Sequence, residues 1–162
     1  MMFLRSSRGT LQRVTPRRTI AVALVTFIAV IAAESVAELP GRNVSGDVGH
    51  ALFHLSWATL TMALALGIRR VRSAWPATGW TARSLALAQT LALVSAGGNV
   101  LAGLGVFIPF PYDSRQIYIY FVHPHNVGEV LGVGSGLILL VVCLVMLGLG
   151  VRGALRPRAR PA

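Results

Sequence analysis

The chain has 162 residues, 54% hydrophobic and only 12% charged, with a mean hydropathy of +0.67 and a formal net charge of +10. Soluble domains carry about 25% charged residues, so the composition excludes an ordinary soluble domain and predicts an all-α, polytopic membrane protein. All the positive charge is arginine, in short runs between apolar segments, a pattern that fits anionic membrane lipid as a partner and not nucleic acid.

Residues 1–18 are a basic N-terminal segment, expected in the cytoplasm, with Arg5, Arg8, Arg13, Arg17 and Arg18. A first apolar span follows, from about Thr19 to Leu39, close to the roughly 20 residues that a bilayer crossing needs. Its basic start, its apolar run from Ile20 to Ala33 and its small residues Ala32 and Ala33 also have the form of a cleavable export signal. The expectation here is a retained span. The second span runs from about Gly49 to Ile68 and is closed by Arg69, Arg70 and Arg72. The third runs from about Ser84 to Ile108, ended by Pro109 and Pro111, and the fourth from about Val127 to Val151. Residues 19–151 thus form a transmembrane domain, and residues 152–162 a basic tail.

Thirteen of the fifteen arginines fall before span one, between spans two and three, or in the tail, leaving only Arg42 and Arg115 for the other side. The positive-inside rule then predicts an antiparallel four-helix bundle in the inner or plasma membrane, with both termini cytoplasmic. Trp75 and Trp80 on one side, and Tyr112, Tyr118 and Tyr120 on the other, fit interfacial belts. The Ala, Gly and Arg usage fits a bacterial chain. The single cysteine, Cys143, permits no intramolecular disulfide and no cysteine metal cluster.

All five acidic residues and all four histidines fall in the outer half of this topology. Helical rise places Glu34, His54, Asn99 and Ser135 at nearly one level, about 22–25 Å from the cytoplasmic boundary. Glu38 and His50 lie one turn further out. Glu34 and Glu38 share a face of span one, and His50 and His54 share a face of span two, because residues four apart stack along a helix. Ionisable groups facing lipid are costly, so both faces are expected to point inward and meet. The expected centre is therefore Glu34, Glu38, His50 and His54, with Glu34 and His54 as its acid–base pair.

The stretch FVHPHNVGEVLGVGSG opens span four. Asn126 and Glu129 have capping-box spacing, while Pro124 competes as the first helical residue. In the second case His125 and Glu129 share a face and add two ligands as a lid over the His50 level. His123 is expected at the interface. Gly128, Gly132 and Gly136, with Gly97, Gly98, Gly103 and Gly105 around Asn99, predict close helix approach. Asn99, Ser135 and Asn126 are the supporting polar groups.

Histidine and carboxylate ligands suit zinc, iron, manganese or copper, which points to a metal site in a membrane enzyme or transporter. Haem b held by His50 and His125 is an alternative, as is metal-free acid–base chemistry on a lipid-soluble substrate. A non-catalytic accessory or assembly subunit uses the same buried pairs to join other membrane subunits or a second copy. No nucleophile motif, phosphate loop or dinucleotide fingerprint is present.

Overall fold

The computed structural model describes residues 16–43, 46–74, 77–109 and 122–155. These residues form four helices and no strand: α1 (Pro16–Asn43), α2 (Gly46–Ala74), α3 (Gly79–Gly105) and α4 (Pro124–Leu155). The first, second and fourth predicted spans lie inside α1, α2 and α4, whereas the third, expected to run to Ile108, overruns α3, which ends at Gly105. Among the described residues α2, α3 and α4 are long and apolar enough to cross a membrane. Within α1, side chains are described for residues 17–32 and 35. The expected interfacial residues Trp75, Tyr112, Tyr118 and Tyr120 lie outside the described residues, while Trp80 is exposed beside Arg83.

The helices pack in ring order, each against the next, with α1 returning to α4. Arg72 at the end of α2 meets Gln89 near the start of α3, and His54 near the start of α2 meets Asn99 near the end of α3. The two helices are therefore antiparallel. The same logic applies to α3 and α4, where Gly98 faces Gly132 and Gly105 faces His125.

The interior has two layers. Toward the arginine end, Ala23, Val30, Ala65, Ile68, Leu85, Ala88, Ala92, Leu139, Cys143 and Met146 form an apolar core. Above it, toward the start of α2, the buried groups turn polar: Thr61, Ser135, Ser95, Asn99 and His54. Outside, α4 leaves Val130, Leu137, Ile138, Val141, Leu144 and Val145 exposed. A helix apolar on its outward as well as its inward face suits lipid, since soluble monomers rarely expose such contiguous patches.

Glycine sets the spacing of the α3–α4 seam. A Cβ on Gly128 would sit 2.6 Å from the Gly98 carbonyl oxygen, and one on Gly132 would sit 2.5 Å from Asn99 Nδ2. Gly128, Gly132 and Gly136 are all buried, as their four-residue spacing predicts.

Candidate metal centre

The site is built upward from Asn99. This residue is fully buried in α3, so its amide must find partners inside the protein. Its Nδ2 donates to the Ser95 carbonyl one turn earlier, at 2.9 Å. That bond turns Oδ1 toward α2, where it meets His54 Nδ1 at 2.9 Å. A carbonyl oxygen only accepts, so Nδ1 carries the imidazole proton and the Nε2 lone pair of His54 is left for another group. His54 is itself 1% exposed.

Two further imidazoles, His50 and His125, surround that lone pair. His50 lies one turn earlier on α2, with its Nε2 3.2 Å from His54 Nε2. His125, in the first turn of α4, has its ring centroid 4.7 Å from that of His50 and 5.3 Å from that of His54. One ring nitrogen from each of the three lies within 4.8 Å of the others. His125 Nδ1 stands 3.1 Å from the Ala102 carbonyl oxygen and so donates to it, leaving Nε2 with the lone pair. Glu129 Oε2 is 4.0 Å from this Nε2, on a half-exposed side chain one turn along α4.

Backbone contacts aim these rings. Gly105 abuts His125 so closely that a Cβ there would come 2.7 Å from its Cα. Gly103 receives Ala51 and His54 in the same way, at 3.3 Å. The start of α4 is fixed by His123, which is buried. Its carbonyl accepts from the Val127 N–H at 3.0 Å, and its Nδ1 accepts from the His125 N–H at 3.3 Å. Its Nε2 donates to the Ile108 carbonyl at 3.2 Å, tying the start of α4 to the end of α3.

The helix accordingly starts at Pro124, with His123 in the capping position, and not at a box formed by Asn126 and Glu129. That start places His125 and Glu129 on one face. His123, expected at the interface, is buried against the protein and held by these bonds. A histidine seldom caps a helix, and nothing in the spacing of HPHNVGE singles it out over Asn126.

Of the residues expected to supply ligands, the fold gathers His50, His54 and His125 and sets Glu129 beside them. Glu34 and Glu38 belong to α1, and their side chains lie outside the described residues. Of the supporting polar groups, Asn99 touches the centre directly. Ser135 belongs to the layer beneath, where its hydroxyl donates to the carbonyls of Leu131 and Gly132 in its own helix. The Gly132 carbonyl also accepts from Ser95 Oγ at 2.8 Å. Asn126 is half-buried in the first turn of α4. Sequence reasoning missed the Asn99–His54 bond and the role of the Ala102 carbonyl. A common depth in the membrane was the only signal for the first, and the second has none.

The arrangement can hold a cation. Ligands about 2.0–2.1 Å from a tetrahedral ion stand about 3.3 Å apart, close to the 3.2 Å between the His50 and His54 nitrogens. Metal-bound histidines usually donate their second N–H to a carbonyl or carboxylate, which is what His54 and His125 do. No family model matches this chain, and neither curated proteins nor solved structures give a significant match.

Proposed function

We propose that this protein is a small multi-pass membrane protein that binds a divalent transition metal through His50, His54 and His125. The observation that carries the reading is their convergence from two helices, with two of the three Nδ1–H groups already engaged by oxygen acceptors. As the side chains stand, a proton bridges His50 and His54. To ligate as a neutral imidazole, His50 would carry its proton on Nδ1 and present Nε2 beside that of His54. Glu129, 4.0 Å from His125 Nε2, would supply a fourth ligand or leave that position to water. Three neutral imidazoles with one exchangeable position favour zinc, with iron, manganese and copper as competitors. Such an ion serves a membrane enzyme by activating water or polarising a substrate oxygen, and serves a transporter as cargo. Glu34 is retained as the acid–base partner of the ion, and Glu38 as a further ligand. Direct ring-to-ring packing of the three imidazoles favours a single ion over haem b.

A non-catalytic assembly subunit is the second reading, favoured by the hydrogen bonds that both polar atoms of the buried Asn99 amide make inside the protein. Metal analysis of detergent-purified protein separates the two. The metal reading expects about one zinc or cobalt per chain, lost in His50→Ala, His54→Gln and His125→Ala while helix content is kept, and retained in Glu34→Gln. Wild-type protein that takes up neither metal would leave the structural reading.

A further inference from the structure

The opposite end of the bundle carries a different cluster. A cavity of about 460 Å³ opens between α2 and α3, lined by Arg69, Arg72, Ser73 and Gln89 with Ala82 and Leu85 as its apolar floor. A second, of about 520 Å³, lies against Arg69, Arg70 and Ser73 and reaches Leu66. The two share Arg69 and Ser73, so three guanidinium groups border adjoining cavities that together make an arginine-lined depression. Gln89 Oε1 accepts one N–H of Arg72 and so holds that side chain over the cavity. Four of the five guanidinium donors remain for a ligand.

Charge defines what such a ligand must be. The five side-chain carboxylates of the sequence all fall on segments leading to the histidine end. Even Glu34, the acid on α1, is about 24 Å along its helix from Arg18. An anion that pairs with these arginines would therefore come from outside the chain. Guanidinium groups match phosphate oxygens in pairs. Ala82 also brings the first turn of α3 to the cavity wall, and the N-cap Thr78 makes no side-chain hydrogen bond to that turn.

The surroundings define the rest of the ligand. Leu66 and Met62 lie one turn apart on α2, leading away from the arginines, and are 51% and 42% exposed. An apolar stripe that ends in a guanidinium cluster fits an acyl chain that ends in a phosphate. We propose that this depression is a specific site for an anionic phospholipid, with the phosphate on Arg69 and Arg72 and an acyl chain along Leu66 and Met62. The proposal is independent of the metal centre.

Native mass spectrometry of the full chain, in detergent doped with phosphatidylglycerol and phosphatidylcholine in equal amounts, tests it. Wild-type protein should retain phosphatidylglycerol at least tenfold more than phosphatidylcholine. The Arg69→Gln/Arg72→Gln pair should lose that preference, whereas Arg83→Gln, which removes a charge outside the cavity, should keep it. Ala82→Leu leaves every charge in place but projects an apolar side chain from the cavity wall into the space beside the arginines, and it too should lose the preference. The site would be overturned by equal retention of both lipids, by an unchanged preference in Ala82→Leu, or by full displacement of phosphatidylglycerol with millimolar inorganic phosphate. The last result would make it a free-anion site.

Discussion

Asn99 orients the proposed centre without itself being a ligand. Its Nδ2 is committed to the Ser95 carbonyl, so its Oδ1 must face His54, and His54 must then present Nε2. Removing such an outer partner weakens metal binding by about 10–100-fold. Asn99→Ala should therefore show this loss in a cobalt titration followed by visible absorbance, whereas Asn99→Asp, which still accepts from Nδ1, should bind at least as tightly as wild type. Equal affinity in all three proteins would mean that His54 does not ligate through Nε2. Part of this was legible in the sequence. The stacking of His50 on His54 follows from four-residue spacing, and the common level of Asn99 and His54 follows from helical rise. The tautomer is a tertiary fact. It depends on which way an amide turns, and no residue spacing encodes that.

At the scale of the helix, the same centre depends on how closely α3 and α4 approach. Gly132 faces Asn99 with room for hydrogen only, because a Cβ would lie 2.8 Å from Asn99 Cγ as well as 2.5 Å from Nδ2. Gly132→Ala must push either the amide or the helix. Overpacking of this kind costs about 1–3 kcal/mol. Thermal unfolding in detergent should register that loss, with weakened metal binding beside it. Gly134→Ala, two residues on, meets nothing within 4 Å and should unfold as wild type does. The four-residue repeat of Gly128, Gly132 and Gly136 announced a packing face, and the fold uses it as one. It did not name α3 as the neighbour, since any helix with small residues accepts such a face. Helix ends were read less well. Apolar runs mark the part of a helix that lies in lipid, while the ends are set by local bonds such as the His123 cap, and these extend α4 beyond its greasy stretch.

Across the whole molecule, chemistry is sorted by height. Arginine cavities border one end of α2 and α3, the apolar core of Ala, Leu and Met fills the middle, and the histidines gather near the other end. This sorting turns the positive-inside rule into a statement about access. With thirteen arginines expected on one side and two on the other, the proposed orientation would put the metal centre toward the extracytoplasmic surface. His50 is exposed at that end, whereas His54 is buried and bonded through Nδ1 to the buried Asn99. An ion held there should exchange with the outer solution and not with the cytoplasm. In zinc-loaded right-side-out vesicles, external EDTA should strip the metal, and inside-out vesicles should keep it. Acidifying the outer solution should have the same effect without a chelator. Each ligating imidazole must be neutral, so protons compete with the cation and affinity falls as pH falls. Stripping from inside-out vesicles alone would reverse the orientation. Equal stripping from both sides would mean that the ion can pass through the apolar layer, and would favour the transporter over the enzyme.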